Sequence, residues 1–124
     1  MDLALSTIGQ IAVTVSRIEP AIAYYRDKLG MKFLFQAPPG MGFFDCGGIR
    51  LMLTESEKTG ETYSSIIYFK VPEIQQAYRE LSGRGVAFER EPGLIARLPG
   101  HDLWMAFFRD PDRNLLALMS EAPN

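Results

Sequence analysis

The sequence contains few of the residues on which disulfide frameworks and metal sites depend, and no long hydrophobic run. Its 124 residues include one cysteine, one histidine and one tryptophan. A single cysteine excludes an intrachain disulfide and is typical of a reducing compartment. No apolar run approaches the roughly 20 residues of a membrane-spanning helix, and the first residues lack the pattern of a signal peptide. We therefore expect a soluble, cytoplasmic chain with no membrane partner.

The sequence also lacks a block of charge of one sign. Thirteen Lys and Arg residues stand against 15 Asp and Glu residues, and the basic ones are scattered along the chain. Nucleic-acid binding depends on clustered basic side chains that neutralise phosphates. The composition therefore predicts no nucleic-acid partner.

What the chain does contain is a duplicated pattern. The stretch IAVTVSRIEPAIAYYRDKLGMKFLF from Ile11 returns as IIYFKVPEIQQAYRELSGRGVAFER from Ile66. The sequence MGFFDCGGIRLMLTES from Met41 is likewise repeated as MAFFRDPDRNLLALMSE from Met105. Two copies indicate a duplicated module, because a solenoid needs at least three copies to bury its faces. Function is then expected where the two halves meet.

These copies predict one domain over residues 1–124. Its first module covers about 8–55, its second about 65–121, and the polar stretch 56–64 links them. A chain of this length can remove roughly two-thirds of its extended surface from water, so one core can hold both modules.

Apolar periodicity predicts the order β-α-β-β-β in each module. In the first module we expect a strand at 8–15, a helix at 19–29 and strands at 31–37, 42–46 and 49–55. In the second we expect a strand at 65–71, a helix at 73–84, strands at 86–90, 103–108 and 115–119, and a further extended piece around 94–98. Helices on one face of a sheet make an α+β fold. Two such modules joined edge to edge predict a curved mixed sheet around a cup-shaped pocket.

This pattern resembles the vicinal oxygen chelate superfamily, which includes glyoxalase I, the extradiol dioxygenases, the fosfomycin-resistance enzymes and the bleomycin-binding proteins. The resemblance covers nearly the whole chain and is clearest in IAVTVSRIEPAIAYYRDKLGMK and DPDRNLLALM. It implies the glyoxalase/bleomycin resistance fold. It also implies a homodimer, either swapped or unswapped, and a small-molecule ligand in the cup.

The resemblance places the four metal-ligand positions of the family on Gln10, Met52, Ile66 and Ala117. Ile66 and Ala117 carry no donor atom, and the thioether of Met52 suits soft ions rather than the usual divalent cations. A catalytic metal needs about three protein ligands and an open position. His101 is the only histidine, which excludes an iron site of two histidines and a carboxylate. We therefore predict no cofactor and no metal.

Strand alternation predicts which side chains line the cup, because every second residue of a strand shares a face. Aromatic residues of uncertain register are added to that set. The predicted ligand-binding residues are Gln10, Ala12, Thr14, Arg50, Met52, Ile66, Tyr68, Trp104, Phe107 and Ala117. The same alternation points Glu55 to the opposite face. His101 is expected in an exposed loop and Cys46 lacks an activating neighbour, so no catalytic residue is assigned.

Two functions of different classes follow. The first is a metal-independent protein that sequesters a largely apolar or aromatic molecule in the cup. The alternative is a glyoxalase-like lyase or isomerase that uses a divalent metal with rearranged ligands, such as Gln10 with Glu55. Whether the chain is an enzyme stays open at this stage.

Overall fold

The computed structural model describes residues 3, 6, 8–56 and 64–124. Its first module contains four strands and a helix, which is followed by a π-helical turn. They are strand β1 (Gln10–Val15), helix α1 (Ile18–Ala23), and strands β2 (Lys32–Ala37), β3 (Met41–Cys46) and β4 (Ile49–Glu55). The strands form one sheet in the order β1-β4-β3-β2, in which β1 and β4 are parallel and the other neighbours are antiparallel.

The second module repeats this arrangement. Its elements are strand β5 (Ile67–Lys70), helix α2 (Ile74–Gly83), and strands β6 (Gly93–Leu98), β7 (His101–Arg109) and β8 (Leu115–Pro123). The sheet order is β5-β8-β7-β6, with β5 and β8 parallel. Both outer strands carry a register shift, between Phe33 and Phe35 in β2 and between Leu94 and Ala96 in β6. The predicted α+β fold of two tandem modules is confirmed, and each module has its own four-stranded sheet.

Helix α1 is followed directly by a π-helical turn, Tyr24–Lys28, within the predicted helix. The wider turn coincides with two adjacent buried tyrosines, Tyr24 and Tyr25. The helical turn ends at Lys28, with Leu29 as its C-cap. Gly30 follows with a φ of 71°, a left-handed conformation that glycine adopts without strain.

The predicted strand at 86–90 was wrong. Val86 is buried, and only Phe88 forms a bridge, to Phe108 of β7. Pro92 lacks an N–H group and cannot continue a ladder, so the paired strand begins after it, at Gly93. The extended piece expected around 94–98 is the true edge strand.

The predicted loop around His101 was also wrong. The turn contains only Pro99 and Gly100, and Leu98 pairs with His101 across it. Gly100 has a φ of 88°, which permits this tight reversal. Strand β7 therefore starts at His101, and β8 continues to Pro123 opposite it.

One hydrophobic core joins the two modules. It contains Val13, Val15, Leu51 and Leu53 from the first sheet, together with side chains from α1, α2 and the second sheet. The core members of the second sheet are Ala106, Phe108, Leu116 and Leu118. Because alternate residues of these strands enter the core, the intervening residues face away from the helices. We call that opposite surface of the two sheets the cup face.

The β7–β8 turn fastens the second module to the first. Asp110 is 4% exposed, and its Oδ2 accepts a hydrogen bond of 2.9 Å from the Tyr25 hydroxyl. Asp112 Oδ1 accepts the Ser16 N–H at 2.8 Å, and Asn114 Nδ2 donates to the Thr14 carbonyl at 2.8 Å. These bonds satisfy polar groups of both modules at a junction that is buried around Asp110.

The edges of β1 and β5 also lie close together. The Thr14 N–H donates to Ser64 Oγ at 2.7 Å, and Ile11 and Ile67 border the same cavity. The cup-face residues of the two modules are therefore neighbours across this seam.

Candidate functional site: the cup face

Five of the predicted binding residues lie together on the cup face of the first sheet. The register pairs Gln10 with Arg50, and Ala12 with Met52. Thr14 lies opposite Thr54 in the next pair. Gln10 Nε2 is 3.7 Å from Met52 Sδ, a weak hydrogen bond that joins two of the four positions predicted from the resemblance as metal-ligand positions.

Strand β3 adds aromatic and charged side chains that sequence reasoning left out of the site. Phe43 pairs with Met52, and Asp45 pairs with Arg50, so both share their face. Phe43 stacks on Phe35 of β2 with 4.7 Å between ring centroids. The Arg50 guanidinium lies 5.5 Å from the Phe43 centroid and 5.8 Å from that of Phe35, which places a cation over this aromatic pair.

The second sheet contributes an aromatic row. Tyr68 pairs with Ala117, and Ala117 pairs with Phe107. Tyr68 and Phe107 form an edge-to-face contact with 6.2 Å between centroids. Ala117 is fully buried between them, whereas Tyr68 is 43% and Ile66 47% exposed. The middle of this surface is therefore apolar and partly open to solvent.

Trp104 faces the other side of the sheet. It pairs with Ser120 and packs against the hydrophobic core. Trp104 and Phe107 are three residues apart on one strand, so alternation directs them to opposite faces. The structure thus separates Trp104 from the other nine predicted residues, which was an error of the sequence analysis.

A polar group occupies one end of the second sheet. Glu121 accepts a contact of 2.7 Å from Lys70 Nζ, and the hydrogen bond and charge of Lys70 hold the pKa of this carboxyl below its ordinary value. His101 Nε2 lies 2.9 Å from Glu121 Oε2, although the angle does not form a hydrogen bond. His101, expected in a loop, is thus part of this polar group.

The side chains at the four predicted metal-ligand positions do not fit a divalent cation. Gln10 alone offers an oxygen, since Ile66 and Ala117 have none and Met52 offers sulfur. Glu55 Oε2 accepts the Ile18 N–H at 2.7 Å on the helix side, as its predicted direction requires. Within the described residues, no group of three or more His, Cys, Asp or Glu side chains could hold a metal ion.

Two cavities border the cup face. One of about 250 Å³ lies at the seam, where it touches Arg50, Tyr68, Lys70 and Cys46. Burial, followed by the charge of Asp45, raises the pKa of the Cys46 thiol, which disfavours the nucleophilic thiolate. A second cavity of about 400 Å³ follows β6 and β7 beside Phe107.

No helix in the described part of the chain is long and apolar enough to cross a membrane.

The chain is similar to several known proteins over most of its length. A protein of Bacillus subtilis strain 168, named as the uncharacterized protein YraH, is 28% identical over 128 residues, covering 88% of this chain and 94% of that protein. The lactoylglutathione lyase of Agrobacterium tumefaciens superposes with a TM-score of 0.76 at 18% identity, covering 94% of this chain and 95% of that one. A virulence protein of Salmonella typhimurium gives a TM-score of 0.77 at 21% identity, covering 95% and 98%.

These two structural likenesses concern the fold alone, because the sequences have diverged so far. Residues 7–118 match the family model described as the Glyoxalase/Bleomycin resistance protein/Dioxygenase superfamily. The chain belongs to that superfamily.

Proposed function

We propose that this protein binds a small, largely apolar or aromatic molecule on the cup face without a metal ion. The observation that carries the proposal is the aromatic surface of that face, where Tyr68 and Phe107 lie in edge-to-face contact and Phe35 stacks on Phe43. Ligand sites are concave, mostly apolar and furnished with a few polar groups. Gln10 and Arg50 supply such polar groups beside the aromatic residues.

Metal independence is supported by the donor chemistry. A metal-dependent member of this family would need oxygen or nitrogen donors where this chain has Met52, Ile66 and Ala117. Glu55, the carboxylate that a rearranged site would recruit, is engaged with the N-terminus of α1 instead.

The test combines elemental analysis of the native protein with a calorimetric screen of aromatic compounds. We expect substoichiometric metal, and binding that chelators leave unchanged. Stoichiometric metal whose removal abolishes binding or a lyase activity would overturn the proposal and favour the glyoxalase-like enzyme.

A matched pair of variants locates the binding. Tyr68→Leu removes a ring from the cup face, and Tyr78→Leu removes one from α2, where it contacts Phe88. We expect the first change to weaken ligand binding about fivefold, since an aromatic contact contributes about 1 kcal/mol. Tyr78→Leu should leave the affinity unchanged. Equal weakening by both variants would count against a cup-face site.

We further propose a cytoplasmic homodimer. The outer strands β2 and β6 expose Leu34, Phe35 and Ile95, and a second copy would cover such edges. Light scattering that gives the mass of a single chain at all concentrations would contradict the dimer.

A further inference from the structure

The seam cavity is lined by both apolar and polar residues. Ile11, Ile49 and Ile67 border it together with Arg50, Lys70 and Tyr68. Its volume is about 250 Å³. A cavity of about 150 Å³ suffices to hold benzene, so this one has room for a single ring with a short substituent.

The two cationic residues that line this cavity differ in their partners. Lys70 Nζ contacts Glu121 at 2.7 Å, so its charge is balanced. Among the residues that the structure describes, Arg50 has no carboxylate within ion-pair distance. The Arg50 guanidinium therefore forms no ion pair among these residues, although Asp45, opposite it in the ladder, offsets part of its charge. A monoanionic ligand would complete the pair.

Arg50 is held in place by contacts that leave its donors available. Phe35 and Phe43 interact with the guanidinium through their ring faces and take none of its five N–H groups. Asp45 lies across the ladder from Arg50, but its Oδ1 accepts the Gly48 N–H at 3.3 Å in its own turn. The planar guanidinium of Arg50, with its N–H donors available, is suited to bind a carboxylate.

We propose that this cavity binds the acidic end of a small carboxylic acid, with Arg50 donating to the carboxylate and the isoleucines contacting the apolar body. Tyr68 borders both this cavity and the aromatic row with Phe107, so the body of a larger acid continues onto the cup face. The inference rests on the proposed small-molecule function and narrows its ligand to a monoanionic acid.

The test compares phenylacetate with its neutral amide, phenylacetamide, by calorimetry and amide NMR. We expect the acid to bind the native protein more tightly, and the Arg50→Gln variant to lose about tenfold in acid affinity, because one charge-assisted hydrogen bond is lost. The amide should bind both proteins equally. Arg79→Gln, which removes an exposed arginine of α2 outside this cavity, is the matched control and should change neither affinity.

Asp45→Asn gives an effect of opposite sign. Removing the carboxylate beside Arg50 should strengthen acid binding and leave amide binding unchanged. Equal binding of acid and amide, or equal loss in the Arg50→Gln and Arg79→Gln variants, would overturn the inference while leaving the proposed function intact. If neither probe binds but neutral aromatic compounds from the screen do, the inference alone fails; if nothing binds, both fail.

Discussion

The two modules share one topology but end their third and fourth strands differently. The ladders place Phe43 opposite Met52 and Phe107 opposite Ala117, so these pairs occupy equivalent positions. Cys46 lies three residues after Phe43, and Asp110 lies three residues after Phe107, so these two residues also occupy equivalent positions. One hairpin thus closes with Gly47-Gly48, and the other with the longer DPDRN turn.

The difference in turn length gives the two hairpins different roles. The longer turn brings the carboxylate of Asp110 to Tyr25 of the π-helical turn and that of Asp112 to Ser16, just before α1, and so fastens the modules together. The shorter turn needs only two glycines in left-handed conformations, with φ of 62° and 90°. Beside it, Cys46 and Ile49 border the seam cavity. A duplicated fold can therefore use one hairpin for stability and leave the equivalent place open for a ligand.

Substitutions at the two equivalent turn positions should have the most unequal effects. Asp110→Ala leaves the buried Tyr25 hydroxyl and two N–H groups of the turn without their acceptor, and we expect a loss of about 3 kcal/mol in the free energy of unfolding. Cys46→Ala removes a partly exposed thiol and should cost less than about 1 kcal/mol. Urea unfolding of both variants measures the difference. Equal losses would mean that the two turns contribute alike.

A second comparison concerns Gly42 and its equivalent Ala106. A Cβ built at Gly42 would lie 2.9 Å from Ile22 Cγ1 and Cδ1, whereas module two accommodates the methyl of Ala106 in its core. Gly42→Ala should therefore destabilise the protein by about 1–2 kcal/mol through overpacking. Combining it with Ile22→Val, which removes Cδ1, should recover part of that loss. Additive destabilisation in the double variant would show that the close contact is not the cause.

Much of the fold could be predicted from the sequence because the repeat supplied each element twice. Alternation then gave the direction of Glu55 and the shared face of Gln10 with Ala12 and Thr14 correctly, since each strand buries its other face. The same rule would have separated Trp104 from Phe107 had it been applied to that pair. The outer strand of module two was misplaced because Val86 and Phe88 are apolar for core contact, not for strand pairing.

Two features could not be predicted from local sequence patterns. They are the junction between the modules and the surroundings of Arg50. Tyr25 meets Asp110 across a long separation in sequence, and DPDRN has the composition of any tight turn. Arg50 could be assigned to the cup face, but its contact with Phe35 depends on the register shift in β2, which no local signal marks.

Alkaline pH should test the junction at Tyr24 and Tyr25. Burial, reinforced by Asp110, raises the pKa of Tyr24 to about 12 and that of Tyr25 further. Both tyrosines lose their protons more readily in the unfolded chain, so their stabilising contribution is complete below pH 10 and falls as pH rises through about 12. We expect Tyr25→Phe to reduce the steepness of this loss by up to about 1.4 kcal/mol per pH unit. Measuring the free energy of unfolding between pH 9 and pH 11.5 checks how steeply it falls with pH. An unchanged slope in Tyr25→Phe would contradict a protonated tyrosine at the junction.

The smallest effect is expected at the polar end of the second sheet, where Lys70 contacts Glu121 while Arg50 of the first module has no such partner among the described residues. Because Lys70 lowers the pKa of the Glu121 carboxyl, Lys70→Met should return that pKa toward its ordinary value. Carboxyl carbon NMR of Glu121 across the acidic range measures the shift. Arg50→Met is the matched control and should leave the titration of Glu121 unchanged. Because the pair is exposed, high salt should diminish the shift in the native protein. If both substitutions shifted the pKa of Glu121 equally, this carboxyl would respond to the charges of both modules together and not to its contact with Lys70. The contrast between a paired Lys70 and an unpaired Arg50 would then be wrong.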